Sequence, residues 1–323
     1  MERGARVVVV GSFNVDHAWT CDALPRPGET LRGRYATGPG GKGFNQAIAA
    51  ARAGAATGFV CALGDDAGGQ LARALSAAED IDLHAARSTE PTGTAGIFVD
   101  AEGGNSIVIG AGANATLDAA FVAAQRPAIE AAGVVLVQLE SPTDAVVEAL
   151  RIARAAGITT ILNPAPANAA TTPELLALAD LLTPNESEFA ALLARHAGER
   201  IDPAEIGTMA DADLHARCRT LFPHGTVVVT LGAAGGFVSH ADALRHGDAR
   251  DRYRLPAEAV SVVDTTGAGD AFNGALAASL AGSAAAFASH ARFAIRYASL
   301  STETAGAALA MPRRAMLEAR FAG

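Results

Sequence analysis

The chain has 323 residues, of which 50% are hydrophobic, so it is long and apolar enough to bury one full core. Its 34 acidic residues against 25 basic ones give a formal net charge of −9, which argues against a nucleic-acid partner bound through a basic face. Cys21, Cys61 and Cys218 show no metal-ligand spacing, and we expect a reduced, cytoplasmic setting. The start of the chain lacks a signal-peptide pattern and no apolar run reaches membrane-spanning length, so no membrane partner is expected.

Short β-branched runs alternate along the chain with longer Ala- and Leu-rich segments of helical period. Because the predicted strands are apolar on both faces, this alternation indicates an α/β fold with a mostly parallel sheet covered by helices. After Pro256 the pattern predicts one more strand, at 259–264, and then long helices that cap the sheet. The other strands are predicted at 7–10, 58–63, 134–138, 159–163 and 226–231, and the helices at 46–53, 70–78, 143–155 and 173–178.

Two regions interrupt this alternation, at about residues 13–38 and 92–110. Gly, Thr and Pro alternate there with apolar residues, which predicts hairpin strands with a glycine-rich turn at 100–105. We expect these strands to form a small sheet that stands off the main one. The sequence shows no long linker, repeat or low-complexity tail, so residues 1–323 are predicted to form one domain.

The strongest local signal is the segment VVDTTGAGDAFNG at 262–274. A predicted strand leads there into a glycine-rich turn that opens a helix, and the free N–H groups of a helix start can bind an anion. Asp270 would repel a phosphate at such a site unless it takes a proton from a nucleophilic hydroxyl, so it is the candidate catalytic base. The alternative is that Asp270 only caps the helix.

A second glycine-rich segment, GPGGKGFNQ at 38–46, precedes a predicted helix. Its first six residues fit the GxGxxG pattern of a dinucleotide fold, with Asp65 roughly 20 residues further on. The glycines do not follow the first strand, however, and Lys42 is not followed by the Ser or Thr of a Walker A loop. We interpret the segment as a hydroxyl-binding loop with Lys42 and Asn45 as donors, and a nicotinamide oxidoreductase is the outside alternative.

Further polar residues follow two of the predicted strands. Asn14 and Asp16 alternate with apolar neighbours, so both would face one side of an extended segment. A carboxylate beside an amide suits a vicinal diol, although the same residues could form an Asx-type turn without a ligand. Glu140 follows the strand at 134–138 and is placed to accept a hydrogen bond from another hydroxyl.

Two segments further along the chain suggest a nucleotide site. Asn185 and Glu188 would share a face of a helix that begins there, where oxygen ligands could hold hydrated Mg²⁺. The alternative is a plain helix start with acidic residues in its first turn. The strand at 226–231 ends in a glycine turn, 232–236, that could pack a nucleotide base or ribose.

Over nearly the whole chain, the order of these segments resembles the ribokinase family and the wider phosphofructokinase-B-type carbohydrate kinases. The most specific elements are GGKGxNQ and DTxGAGDxFxG. The resemblance implies a doubly wound sheet with a small β lid formed from 13–38 and 92–110, and a homodimer in which two lids pack together. It also implies ATP as co-substrate and Mg²⁺ as cofactor. The motifs that carry it are GSFNVDH, PRPGET, GGKGFNQA, GANATL, QLESP, NPAPA, TPNESE, TLGAAGG and DTTGAGDAFNGAL.

The resemblance also implies a role for individual residues. The catalytic base matches Asp270, and Glu188 matches the position linked to Mg²⁺ through water. The positions that hold sugar hydroxyls match Asn14, Asp16, Gly41, Lys42, Asn45, Glu140 and Asp270. Those that hold ATP match Asn185, Thr230, Gly232 and Gly235, and the anion hole matches Gly267, Ala268 and Gly269. A monovalent-cation loop, usually for K⁺, matches Asp264, Thr266, Ser301, Thr304, Gly306 and Ala310.

The sequence departs from the family pattern in three places. Glu303 and Thr304 stand where ribokinases usually have a threonine followed by a basic residue, but carbonyl ligands tolerate side-chain changes, so K⁺ activation is still expected. Phe13 and Phe44 are bulkier than the residues expected beside the sugar pocket, so we expect them to affect the choice of sugar. Ile295 stands where a polar residue often borders the adenine.

These features together predict cytoplasmic, ATP-dependent phosphorylation of D-ribose at O5, which gives D-ribose 5-phosphate and ADP. The alternative within the class is a kinase for deoxyribose, another pentose or ketose, or a nucleoside. From a different class, the chain could be a non-catalytic sugar sensor. The presence of Asp270, both glycines of the anion hole and Glu188 argues against that reading.

Overall fold

The computed structural model describes residues 6–241 and 245–321. Among these residues no helix combines the length and the apolar character needed to cross a membrane. The strands are β1 (Arg6–Val10), β2 (Asn14–Thr20), β3 (Arg34–Gly40), β4 (Ala56–Leu63), β5 (Asp82–Arg87), β6 (Gly93–Val99), β7 (Asn105–Gly110), β8 (Val134–Val137), β9 (Thr159–Leu162), β10 (Leu181–Leu182), β11 (Thr226–Thr230), β12 (Gly236–Ser239) and β13 (Arg252–Leu255). The α-helices are α1 (Lys42–Arg52), α2 (Ala67–Ala78), α3 (Ala119–Ala124), α4 (Arg126–Glu130), α5 (Thr143–Ala155), α6 (Pro173–Ala177), α7 (Glu186–His196), α8 (Pro203–Ile206), α9 (Asp211–Leu221), α10 (Ala268–Gly282), α11 (Phe287–Ser301) and α12 (Arg314–Arg320).

The main sheet, as far as the structure describes the chain, has nine strands in the order β13-β12-β11-β10-β9-β8-β1-β4-β5. All neighbours from β11 to β5 run parallel, whereas β12 and β13 are each antiparallel to the strand before them. The strand order reverses between β1 and β8, and ligands of open α/β sheets bind at the carboxyl ends of strands at such a point. The predicted α/β fold is confirmed, and the loops after β1 and β8 lie at the switch point.

Helices bury both faces of the main sheet. Alternate side chains of a strand point to opposite faces. On one face Val7 and Val9 pack in a core with residues of α1, α10 and α11, and on the other Val8 and Val10 pack with residues of α5, α7 and α9. All four valines are fully buried. This layering brings α1 and α10 side by side on the same face of the sheet.

A small sheet forms from the two regions that interrupt the alternation. Its order, within the described residues, is β3-β2-β6-β7, in which β2 and β6 are parallel and the outer pairs are antiparallel. The side chains of Trp19, Tyr35 and Phe98 stack across three of its strands, with ring centroids 5.2 and 5.4 Å from that of Trp19. The apolar side chains of Ile107, Val108 and Ile109 in β7 are at least half exposed. The predicted small sheet is therefore present, with an exposed apolar strand at one edge.

Helix α1 begins four residues earlier than the prediction, directly after Gly41. Gly41 has φ = 88°, a left-handed conformation that glycine adopts without strain, and it turns the chain from β3 into the helix. At Gly43 a Cβ atom would lie 2.5 Å from the backbone nitrogen of Ser12, so the glycine lets the helix start touch the loop after β1. The GxGxxG-like segment thus joins the small sheet to α1. In a dinucleotide fold, by contrast, this motif forms the turn between β1 and the first helix.

The strand predicted at 259–264 is absent, so that prediction is wrong. The segment lies beyond the edge strand β13, and its backbone bonds to the end of α11 instead of to a neighbouring strand. The N–H groups of Val263 and Asp264 donate to the Thr302 carbonyl, at 2.8 and 3.1 Å. Val262 and Val263 are 61% and 65% exposed. A β-branched run alone does not make a strand when its backbone N–H groups bond to another part of the chain.

Candidate active site

The candidate site lies at the switch point of the main sheet, where two strand ends meet two helix starts. The loop 11–13 follows β1 and Glu140 follows β8, while Lys42 opens α1 and Asp270 lies in the first turn of α10. Residues far apart in the sequence are therefore brought together by the parallel topology. Three adjoining cavities, of about 350, 160 and 500 Å³, surround this point.

Close packing of α1 against α10 sets the geometry of the candidate base. A Cβ atom at Gly274 would lie 2.4 Å from the Gln46 carbonyl oxygen and 2.5 Å from the Ala49 Cβ. Only a glycine permits this approach, and the approach lets side chains of α1 reach the start of α10. Gly274 therefore helps to position Asp270, because it allows α1 to pack closely against α10.

Asp270 is 6% exposed, and both of its carboxylate oxygens are hydrogen-bonded. Asn45 Nδ2 donates to Oδ2 and Gln46 Nε2 donates to Oδ1, each at 2.9 Å. Burial raises the pKa of Asp270, whereas the Lys42 charge and the two amide donors oppose that rise by stabilising the ionised form. A buried carboxylate that keeps open lone pairs beside a cavity is suited to accept a proton.

Asn45 shows a further polar atom that has no protein partner. Its Oδ1 is buried and accepts no hydrogen bond from the described residues, although its Nδ2 is bound to Asp270. A buried acceptor without a partner costs free energy unless a ligand supplies the donor. Asn45 therefore fits the role of a hydroxyl-binding residue beside the base.

The cavity of about 350 Å³ is walled by Asn14 and Glu140, by the loop at 111–115 and by Ile109 of the small sheet. Asn14 is almost fully buried and its Oδ1 accepts from Asn114 Nδ2 at 2.8 Å. Asn114 also bonds both backbone groups of Phe13, at 2.9 and 3.0 Å, and so fixes the loop after β1. These amides give the cavity a rigid polar end.

Two carboxylates lie on this side of the site and repel each other. Burial raises the pKa of Asp16 to about 6, and the neighbouring charges of Glu140 and Asp270 add to the rise. Glu140 Oε2 accepts from the Ser12 hydroxyl at 2.6 Å and from the Lys42 backbone N–H at 3.0 Å. Acceptors of this kind match a ligand that offers several hydroxyl donors.

The cavity of about 160 Å³ lies at the start of α10, and Lys42 lines it together with residues 267–270. Gly267 has φ = 75° and turns the chain into α10, whose first-turn N–H groups have no intrahelical partner. Burial alone would lower the pKa of the Lys42 ammonium, but the charges of Asp270, Glu140 and Glu188 outweigh it and raise that pKa. A fixed cation and a helix start thus face one small space, which suits an anion.

The largest cavity, about 500 Å³, opens from the anion-binding space, because Asn185, Thr230 and Gly269 line both. One end of it is apolar, and Ile295 forms part of that wall. Gly232 and Gly235 line it and have left-handed φ values of 51° and 89°, so the turn after β11 depends on glycine. The rest of the wall is formed by Glu186, Ala233, Ala257, Glu258, Ala259, Val260, Val262, Thr265, Ala268, Phe272, Ala298, Ser299 and Thr302.

Asn185 and Glu188 form a capping box at the start of α7. The Glu188 N–H donates to Asn185 Oδ1 at 2.8 Å, and the Asn185 N–H donates to Glu188 Oε2 at 2.9 Å. Burial raises the pKa of Glu188, and the backbone bond and the Lys42 charge oppose this rise. The helix-start alternative is therefore correct as local structure, and both residues also line the anion-binding space.

Asp264 joins the two segments that the resemblance implies for a monovalent cation. Its Oδ1 accepts from the backbone and hydroxyl of Thr266, at 2.9 and 2.7 Å, and its Oδ2 accepts from the Gly306 N–H at 2.8 Å. Ser301 donates its hydroxyl to a carbonyl within α11, and the Thr304 N–H reaches the Ser301 carbonyl at 3.4 Å. Ala310, which ends the short 3₁₀ turn at 308–310, is buried.

Phe13 and Phe44 do not shape a cavity, contrary to the expectation from their bulk. Both are fully buried, with their ring centroids 5.0 Å apart in an edge-on contact, and Phe44 also packs against Phe59. They belong to the core under the site and line none of the three cavities, and their effect on the choice of sugar stays a prediction. Sequence reasoning also missed Gln46, because a glutamine beside a motif asparagine shows its partners only once α1 and α10 are packed.

Known proteins resemble the chain over nearly its full length. The family model described as pfkB family carbohydrate kinase matches residues 5–314. The chain is 41% identical to the ribokinase of Mus musculus over 87% of this chain and 83% of that protein. It is 38% identical over 96% of its length to a bifunctional ribokinase/ribose-5-phosphate isomerase A of Fructilactobacillus sanfranciscensis, of which it spans 55%.

A solved structure supports the same relationship. The ribokinase of Arabidopsis thaliana complexed with ribose and ATP superimposes with a TM-score of 0.83, at 30% identity and with 97% of each chain covered. Fold, motif order and sequence identity therefore agree across the chain. On these grounds the chain belongs to the pfkB family of carbohydrate kinases.

Proposed function

We propose that the chain transfers the γ-phosphoryl group of ATP to O5 of D-ribose and releases D-ribose 5-phosphate and ADP. The observation that carries the proposal is the place of Asp270. This buried, doubly hydrogen-bonded carboxylate stands in the first turn of α10 and lines the anion-binding space, from which the cavity of about 500 Å³ opens. The ribokinase relatives and the ribose and ATP named for the Arabidopsis structure support the choice of substrates.

We assign the sugar to the cavity of about 350 Å³ and to the carboxylates beside it. In this assignment Asp16 and Asn14 bind a vicinal diol, and Glu140 and the free Oδ1 of Asn45 accept further hydroxyl protons. Gly41, with its left-handed φ, lets the backbone at the start of α1 approach the ring. The primary hydroxyl then lies against Asp270, which accepts its proton as the oxygen attacks phosphorus.

We assign ATP to the cavity of about 500 Å³, with its phosphates extending towards the start of α10. Asn185, Thr230, Gly232 and Gly235 line the path of the nucleotide, and Ile295 packs at the apolar end where a base fits. The N–H groups from Gly267 to Gly269 and the Lys42 ammonium stabilise negative charge on the transferred group. The new O–P bond forms at O5 while the bond from γ-phosphorus to the leaving oxygen of ADP breaks.

Mg²⁺ fits this site as a companion of the nucleotide. In the part of the chain that is described, no three His, Cys, Asp or Glu side chains are grouped to hold a metal ion. Glu188 lines the anion-binding space and is the carboxylate that would hold the hydrated ion, as is usual where substrate phosphates supply the other ligands. When bound, the ion neutralises charge on the phosphates.

We include K⁺ as an activator held by the loops that Asp264 joins. The Asp264 carboxylate bonds Thr266 and Gly306, so the two loops lie close together. Rings of carbonyl oxygens are the ligands that K⁺ takes in proteins. Ser301, Thr304 and Ala310 belong to the same stretch and are assigned to this loop with Gly306.

The small sheet is proposed to act as the lid and as the dimer contact. Ile109 of β7 lines the sugar cavity, while the same strand exposes Ile107 and Val108, 52% and 67% accessible. A second copy packed on this strand would cover an edge that otherwise offers unpaired backbone groups. A cytoplasmic location is proposed because all three cysteines are unpaired, which suits a reducing compartment.

The test is ADP release coupled to an indicator, with MgATP and K⁺, for D-ribose, 2-deoxyribose, fructose and adenosine in parallel. The proposal predicts the highest kcat/KM for D-ribose, because deoxyribose leaves one of the buried acceptors unpaired. Higher efficiency for another compound would move the assignment to that substrate. ATP and ribose binding without turnover would point to a sugar sensor.

A further inference from the structure

We propose that Gln46 is a positioning residue for the reaction, and that it holds the carboxylate of Asp270 ionised and in its productive orientation. The proposal rests on the proposed role of Asp270 as the base. Gln46 is fully buried and lines none of the three cavities, so it can act on the sugar only through its neighbours. Its amide donates to Asp270 Oδ1 at 2.9 Å and to Asn163 Oδ1 at 3.0 Å, and its Oε1 accepts from Gln138 Nε2 at 2.5 Å.

These three bonds allow only one orientation of the Gln46 carboxamide. If the amide were flipped, its oxygen would face the acceptor oxygens of Asp270 and Asn163, and its NH₂ would face the donor of Gln138. Gln46 therefore presents a fixed N–H donor to the base. Gln46 binds one oxygen of the carboxylate, and Asn45, the preceding residue of α1, binds the other.

The hydrogen-bonded chain continues from Gln46 to the start of α10. Asn163 Nδ2 donates to the Thr183 carbonyl at 2.9 Å, and the Thr183 hydroxyl donates to Asn273 Oδ1 at 2.6 Å. Asn273 Nδ2 then donates to the Gly269 carbonyl at 2.8 Å. The network thus connects α1, the ends of β9 and β10 and the first turn of α10, so Gln46 helps to hold the carboxylate and the anion-binding turn in one arrangement.

The effect of Gln46 on proton transfer has a definite sign. Each N–H donor to a buried carboxylate favours the ionised form and lowers its pKa. Burial and, to a smaller extent, the Glu140 charge raise the pKa of Asp270, whereas the Lys42 charge and then the bonds from Asn45 and Gln46 oppose that rise. The base is active when ionised, and its activity is lost as the pH falls through its pKa. Removal of the Gln46 donor must move that loss to higher pH.

The experiment measures kcat against pH at saturating sugar and MgATP, which reports the ionisation of the enzyme–substrate complex and leaves out the titration of Asp16 in the free enzyme. Gln46→Met removes both donors at similar side-chain length, and we expect the acid-side midpoint to rise by about one pH unit, with the KM for ATP changed less than about twofold. Gln138→Leu removes only the donor that orients Gln46, so a smaller shift in the same direction is expected. Gln70→Met alters an exposed glutamine of α2 and should reproduce the parent profile.

An unchanged midpoint in Gln46→Met would overturn the inference, even if the rate falls equally at every pH, because that result describes a structural role alone. If circular dichroism shows that Gln46→Met does not fold, the midpoint of Gln138→Leu decides in the same way. A parent protein that phosphorylates no sugar would instead refute the proposed function. The two failures are therefore distinct.

Discussion

The contact between α1 and α10 predicts that Gly274→Ala destabilises the protein and impairs the base. Alanine in a helix interior normally gains up to about 1 kcal/mol over glycine. Here the added Cβ would lie 2.4 Å from the Gln46 carbonyl oxygen and 2.8 Å from the Ala50 nitrogen, both backbone atoms of a buried helix. Overpacking of this kind costs about 1–3 kcal/mol, so the net effect is a loss of stability.

The overpacking cost less the helix gain leaves a net loss of up to about 2 kcal/mol, so Tm should fall by as much as about 8 °C, at roughly 2–4 °C for each kcal/mol. Because Asp270 moves with α10, kcat should also fall by as much as about 100-fold, the cost of a shift near 1 Å at a reacting group. Thermal unfolding by circular dichroism and steady-state kinetics measure the two effects. Gly207→Ala, at a helix end where φ is −59° and no atom lies within 4 Å, should leave kcat unchanged and should not lower Tm. A raised Tm with unchanged kcat in Gly274→Ala would refute the reasoning.

Four further outcomes follow from the structure. The pKa of Asp16 is raised from 3.8 to about 6 in the folded protein, so its ionisation lowers stability as the pH rises through that range. Asp16→Asn should therefore raise Tm at pH 7 and also raise the KM for the sugar. An unchanged Tm would contradict this expectation. Parent KM for the sugar should rise as the pH falls below about 6, and a KM independent of pH would argue against Asp16 as a ligand. Glu188→Gln keeps an acceptor for the α7 cap but loses charge, so the Mg²⁺ concentration for half activity should rise several-fold in a Mg²⁺ titration at fixed ATP. Trp19 is the only tryptophan and lies in the small sheet, so D-ribose should change its emission and Trp19→Phe should abolish that signal.

The periodic parts of the fold could be predicted because their pattern comes from burial. β8 and α5 begin at the predicted residues, since strands buried on both faces and amphipathic helices leave distinct spacings. The segment at 259–264 could not be predicted in this way, because its backbone N–H groups bond to the end of α11 instead of to a strand. That contact is a tertiary feature.

The same division holds at the site. Asp270, Asn14 and Glu140 could be singled out because each is a polar residue at the end of a predicted strand or at a helix start. The position of the Phe44 side chain in the core could not be predicted, because proximity to a glycine loop in the sequence does not say which way a side chain of the following helix points. The partners of Gln46 lie 92 to 224 residues away, and only the packed helices bring them together.

The most direct test of the central claim is phosphoryl transfer by Asp270→Asn, compared with the parent under saturating MgATP, K⁺ and D-ribose. The substitution keeps the size of the side chain and the access to ATP, but it removes the proton acceptor. We predict that the variant binds ATP like the parent, while kcat falls about 10²–10⁴-fold, the range typical for loss of a general base. A variant that keeps kcat within a few-fold of the parent would contradict the assignment of Asp270 as the base.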